Sequence, residues 1–284
     1  VHIDVPITVA VTPVTPTIPA HRAVAAPVVP APAQLEEMRA HLARAERPIL
    51  IVGVDALTQG FDARRADISA ALRSFVEMFN VPVVTTYKAK GLLPEDHPLA
   101  LGGAGLAPKA DAVLLPLVQR ADLIIGLGYD PIEMRTGWRD FFFPGIQPMI
   151  DITAEPNHHY MHQATMNVVA DCGATLAAMS DGVAARATWE DGEVDKARTD
   201  LAEAFPHDDD WCPAAVIDTC RTVLPHDAIA TADSGAHRIL LSQMWQCYAP
   251  RGLMQSSALC TMGCAIPLAM GAQVTALEKS ASRA

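Results

Sequence analysis

An α/β protein, built as a Rossmann-like parallel sheet domain plus a partial second α/β domain, follows from three features of the sequence. Short continuous apolar runs such as Pro48-Ile-Leu-Ile-Val-Gly53 alternate with amphipathic stretches, the pattern of strands buried on both faces between covering helices. Half of the residues are hydrophobic and 19% are charged, enough apolar surface to offset the entropy of ordering. A length of 284 residues suits one large domain or two ordinary ones.

Taken in order, Val1–Val11 alternates loosely and predicts the tail of a strand. Six prolines between Pro13 and Pro32 exclude a helix or a central strand and predict an extended linker over 13–32. Gln34–Ala45 has helical apolar spacing (Leu35, Met38, Leu42), ended by Arg47-Pro48. Pro48–Gly53 predicts a buried strand. Asp62–Asn80 predicts a helix with Ile68, Leu72, Phe75, Val76 and Phe79 on one stripe. Four further strands are predicted at Val81–Thr85, Ala121–Leu127, Pro148–Ile152 and Asn167–Ala170. Helices are predicted at Asp111–Arg120 and Gly173–Ala185, which gives a first domain over 33–185. The charged 186–210 stretch predicts a linker, with Asp208-Asp209-Asp210 solvated rather than gathered on a metal. A last unit over 211–284 shows helices at Ala214–Val223, Ala236–Cys247 and Cys264–Thr275. Its one strand, Ala228–Ala232, is too little to bury a parallel sheet by itself.

Composition excludes some classes of function. Acidic residues number 32 against 21 basic ones, for a net charge of −11, which argues against a non-specific nucleic-acid binder. No 18-residue apolar run and no signal-peptide pattern is present, so no membrane partner is expected. The six cysteines form no CxxC and predict buried, reduced thiols in a cytoplasmic protein. The first residue is Val1 rather than Met, which fits either processing or a cut.

Several motifs bear on chemistry. Gly126-Leu-Gly128 follows a strand as a dinucleotide motif should, but Pro131 stands at the third glycine position, and no GxxxxGK[ST] occurs. Gly102-Gly-Ala-Gly105 is placed in a loop before a helix, where amides are able to meet a phosphate; ordinary tight turns account for these glycines as well. His158, His159 and His162 form HHxxH without the glutamate or third ligand of a zinc site, and predict surface histidines after a turn. Two later segments are more specific. Ala232-Asp-Ser-Gly-Ala-His-Arg238 runs from a strand end through glycine into a helix, which presents amide donors suited to a diphosphate. Cys260-Thr-Met-Gly-Cys-Ala-Ile-Pro-Leu-Ala-Met-Gly-Ala272 sets Met262 on a turn leading into a small-residue helix. Met262 taken alone reads as core packing.

With these residues in place, the chain resembles the thiamine-diphosphate-dependent enzymes of the acetolactate synthase and 2-oxo acid decarboxylase type. Arg47-Pro-Ile-Leu-Ile-Val-Gly53, Val81-Pro-Val-Val-Thr-Thr86, Lys90-Gly91 with Pro94-Glu-Asp-His-Pro98, and Ala121-Asp-Leu-Ile-Ile-Gly-Leu-Gly128 resemble that family's middle domain. Leu224-Pro225, Asp233-Ser-Gly-Ala-His237 and Thr261–Ala272 resemble the opening of its diphosphate-binding domain, and Val1–Pro6 resembles the last strand of its pyrimidine-binding domain. The resemblance divides the chain into a pyrimidine-domain tail (1–12), the linker (13–32), the middle domain (33–185), a second linker (186–210) and an incomplete diphosphate-binding domain (211–284).

The resemblance implies thiamine diphosphate with Mg2+ as cofactors, a small 2-oxo acid as substrate, and a homodimer or homotetramer. It implies that Gly235, Ala236 and His237 touch the diphosphate. It further implies that Met262 is the apolar wedge bending the cofactor, and that a backbone carbonyl around Cys260–Met262 accepts from the aminopyrimidine. Cys260 stands where related sequences often have glycine. No catalytic or metal-ligating residue is assigned: the family's glutamate belongs to the pyrimidine domain, and no Gly-Asp-Gly occurs here. The expectation is therefore a piece of a larger enzyme, inactive by itself. The alternatives are a non-catalytic module binding FAD or an adenine nucleotide, and a purely structural α/β unit.

Overall fold

The computed structural model describes residues 6–13, 26–58, 62–134, 136–156, 161, 163–206, 211–256 and 259–281. Its centre is a six-stranded parallel sheet of β1 (Pro48–Val52), β2 (Val83–Thr86), β3 (Ala100–Ala104), β4 (Leu123–Leu127), β5 (Met149–Thr153) and β6 (Met166–Val169). The strand order is β3-β2-β1-β4-β5-β6, reversing direction of growth between β1 and β4. Every residue of β1, β4 and β5 is buried, as continuous apolar runs require when helices cover both faces.

Helices α2 (Pro32–Arg44), α4 (Asp62–Phe79) and α6 (Cys172–Ser180) cover one face, where Met38, Leu42, Leu72, Phe75, Leu176 and Met179 meet the sheet. Pro32 occupies the first turn of α2, where its missing N–H costs nothing, and Asp171 caps α6 by accepting from the Ala174 amide. The other face carries α5 (Pro108–Gln119) and α7 (Glu193–Ala204), with Leu114, Leu117, Trp138, Phe141 and Val194 in its core. The remaining helices are the short α1 (Ile7–Ala10) and α3 (Asp55–Thr58). The last unit holds α8 (Pro213–Val223), α9 (Ala236–Met244) and α10 (Ala265–Ala281) around β7 (Ala230–Ala232) and β8 (Leu253–Gln255), a parallel pair. Its small core is Ile217, Trp245, Cys247 and Leu253. Arg221 lies against it, the guanidinium 4.5 Å from the Trp245 ring centroid while Nη2 donates to the Leu224 and Pro225 carbonyls.

The structure departs from the sequence expectations in five places. Ile7–Ala10 is a single helical turn entered from Pro6, not a strand tail. Gly102-Gly-Ala belongs to strand β3 rather than a loop; a Cβ at Gly103 would lie 2.9 Å from the Ser242 carbonyl, so glycine lets α9 cross the strand closely. Residues 186–206 are not a bare linker. They contain α7, packed on α5, and Trp189, buried with its indole N–H donating to the Pro48 carbonyl at 2.7 Å. The last unit has two strands rather than one. Only Cys172 and Cys247 of the six cysteines are buried, and Cys220 is exposed on α8. Within the proline-rich stretch, residues 14–25 lie outside the described residues, while 26–31 forms neither helix nor strand and Val28 accepts from the Asp171 amide.

If 186–206 is part of the first domain's core, Trp189→Ala should lower its stability by about 3–5 kcal/mol in urea unfolding, and Trp189→Phe by much less. Unchanged unfolding of Trp189→Ala would return the stretch to a linker.

Candidate functional site

The two segments singled out in the sequence meet beyond the C-terminal end of β7. Asp233, just past that strand, accepts from the Ala265 amide through Oδ1 at 2.7 Å, joining the strand end to the start of α10. Thr231 Oγ1 donates to the Ala265 carbonyl at 2.9 Å. Arg238, in the first turn of α9, donates to the Ser256 carbonyl at 2.9 Å and lies 3.5 Å from the Cys260 sulfur. One carboxylate and one guanidinium therefore hold the 233–238 and 260–265 segments side by side.

Gly235, Ala236 and His237 are exposed at the start of α9, a nine-residue helix with no side-chain cap. The first N–H groups of such a helix have no intrahelical acceptors and favour an anion. Met262 is 79% exposed, which removes the core-packing reading. Gly263 follows it at φ +84, with open space where a Cβ would be. Cys260, partly buried, adopts φ +51, a left-handed conformation that glycine would take more easily. An uncapped helix start beside an exposed apolar side chain on a turn offers an anion site with an apolar contact next to it.

The electrostatics follow from these contacts. Backbone donation from Ala265 leads the effects holding the Asp233 carboxyl below its usual range. The Arg238 hydrogen bond leads those lowering the Cys260 thiol, with Ser234 and Lys88 adding to it. Burial, by contrast, pushes the Cys247 thiol up to about 12. Sequence reasoning places Asp233 and Arg238 in the motif without giving them a role; their position at a strand end and in a first helical turn is the signal that points to one.

The first domain grips this unit from its β2–β3 connection. Lys90 and Glu95 form a buried ion pair at 2.6 Å, and Glu95 Oε2 accepts from the Cys247 amide at 2.7 Å. Gln243 of α9 donates to the Gly103 carbonyl at 3.0 Å. His158, His159 and His162 lie outside the described residues, as do Asp208, Asp209 and Asp210. Among the described residues, no three His, Cys, Asp or Glu side chains are grouped to hold a metal ion, and no helix is long and apolar enough to cross a membrane.

Comparison with known proteins places these features. Residues 35–179 match the family model described as "Thiamine pyrophosphate enzyme, central domain", and residues 233–283 match "Thiamine pyrophosphate enzyme, C-terminal TPP binding domain". The chain is 31% identical over 255 residues to the acetolactate synthase large subunit of Corynebacterium glutamicum, covering 87% of this chain and 39% of the relative. It is 32% identical over 239 residues to the acetolactate synthase large subunit of Parasynechococcus marenigrum, covering 81% and 37%. With the acetolactate synthase of Bacillus subtilis the identity is 28% over 268 residues, covering 89% and 44%. The chain thus spans well under half the length of the curated relatives it matches.

Asp233 gives this site a pH signature. Because its folded pKa is depressed, its contribution to stability is present above the ordinary value of 3.8 and is lost as pH falls through the lower folded value. The stability gap between wild type and Asp233→Asn should therefore be widest near neutrality and close in acid. A gap that persists undiminished in acid would contradict the assignment.

Proposed function

This chain belongs to the thiamine pyrophosphate enzyme family, and from that premise we propose that its last unit supplies part of a thiamine-diphosphate site in an enzyme acting on a 2-oxo acid. The observation that carries the proposal is the Asp233–Ala265 tie, which sets the uncapped start of α9 beside the Met262 turn. The amides of Gly235 and Ala236 and the His237 imidazole would hold the diphosphate, with the helix N-terminus favouring its charge. Met262 would pack against the cofactor rings and impose their angle. A carbonyl of the Cys260–Met262 turn would accept from the amino group of the pyrimidine. When bound, thiamine diphosphate would supply an electron sink for the negative charge that decarboxylation leaves on the former carbonyl carbon, and the protein would supply geometry. Magnesium would accompany the diphosphate, and no residue of this chain is assigned to it.

The reaction class we propose is decarboxylation of a 2-oxo acid followed by carboligation, supported by the acetolactate synthase names of the relatives. These residues by themselves are assigned cofactor contacts, not turnover. Self-association into a dimer or tetramer belongs to the same proposal. Ile266, Met270, Val274 and Leu277 leave one side of α10 apolar and more than half exposed, a surface suited to association. A cytoplasmic setting belongs to the same proposal, supported by a six-cysteine sequence with no CxxC.

Titration with thiamine diphosphate and Mg2+, followed by amide chemical shifts, tests the site at affinities too weak for calorimetry. The expected result is that resonances of 234–238 and 260–264 move together, and that His237→Ala weakens the titration about tenfold. Shifts confined to other parts of the chain, or none at cofactor excess, would overturn the proposal.

A further inference from the structure

A doubly wound parallel sheet binds nucleotides in the crevice beyond the C-terminal ends of its strands, where the strand order reverses. Here that point lies between β1 and β4. A dinucleotide needs the two following loops to diverge, leaving backbone amides free for its pyrophosphate. In this chain the loops are joined to one another. The Gly53 amide donates to the Leu127 carbonyl at 3.0 Å and the Gly128 amide to the Ile152 carbonyl at 2.7 Å, continuing the strand ladder, and beyond it the Asp55 amide donates to the Gly128 carbonyl at 3.1 Å, loop to loop. Asp55 Oδ2 extends the seam to the next loop by accepting from the Ala154 amide at 2.9 Å.

The glycines at the ends of β1 and β4 are used to bring protein against protein. A Cβ at Gly53 would collide with the Gly128 carbonyl and the Tyr129 Cα, and one at Gly128, held at φ +58, would collide with the Ala56 amide.

The anion position itself is filled from within. Glu133, 5% exposed, sits in the short turn after β4. Its Oε1 accepts from the Val54 amide at 3.0 Å and its Oε2 from the Thr86 hydroxyl at 2.7 Å. The carboxylate thus bridges the ends of β1 and β2. Burial raises its pKa, while the Thr86 and Val54 bonds and the nearby Lys88 pull it back towards the charged form. A flavin or adenine dinucleotide does not fit these residues: its phosphates would have to displace a buried carboxylate and separate three bonded loops.

We propose that Glu133 is a built-in anion that seals the switch-point crevice, so that this sheet holds no dinucleotide. The wild-type chain is first titrated with FAD and, separately, with ADP, reading flavin fluorescence and Tm; no saturable change is expected with either. Glu133→Ala leaves the Val54 amide and Thr86 hydroxyl facing a carboxylate-sized hole. Its Tm should fall by about 2–10 °C, and formate should recover part of that loss while leaving wild type and Glu133→Gln unmoved. Saturable binding of FAD or ADP to the wild type, with slowed hydrogen exchange at Val54, would overturn the proposal. So would a Glu133→Ala protein that melts like wild type and ignores formate. If Glu133→Ala does not fold, the wild-type titration decides the proposal alone.

Discussion

An all-parallel sheet has no face that it can leave to water, and this constraint arranges the rest of the molecule. Six strands require two layers of helix, so α2, α4 and α6 cover one side and α5 with α7 the other. The charged segment after α6 is drawn into the second layer because Trp189, Val194 and Ala197 complete a face that α5 alone leaves open. The strand ends are the only part of such a sheet free to carry chemistry. At one of them, beyond β1 and β4, backbone bonds and Glu133 close the crevice. At another, beyond β2, Lys90 and Glu95 reach outward to hold the last unit.

That grip bears on function because the last unit has little core of its own. Two short strands and a handful of buried side chains leave it dependent on its contact with the first domain. Glu95 serves both sides at once, paired with Lys90 and accepting from the Cys247 amide. Breaking this buried pair by removing one partner would leave an uncompensated charge at the junction. Within the unit, Asp233 does for the candidate site what Glu95 does for the junction: one carboxylate accepts a backbone amide and fixes two segments remote in sequence.

Local patterns revealed much of this, and long-range packing hid the rest. The buried strands were legible because a short, continuous apolar run such as Ile49–Val52, closed by glycine, suits a strand covered on both faces. Strand β3 was not, since Gly103 serves the crossing of α9, a neighbour about 140 positions away. Helix α7 was masked by its charged outer face, and β8 by its three-residue length. At the candidate site, the helix start and the Met262 turn were legible as motifs. The tie between them was not, because only the fold brings Asp233 beside Ala265. The role of Glu133 was equally hidden, as one acidic residue in a polar turn carries no sign of burial.

The central claim is that the start of α9 and the Met262 turn form one cofactor-binding surface. A crystal structure of this chain soaked with thiamine diphosphate and Mg2+ tests it most directly. The account predicts diphosphate density at the Gly235 and Ala236 amides and the His237 imidazole with Met262 against the rings, and no ligand density between β1 and β4. Cofactor density anywhere else on the chain, with the α9 start empty, would contradict it.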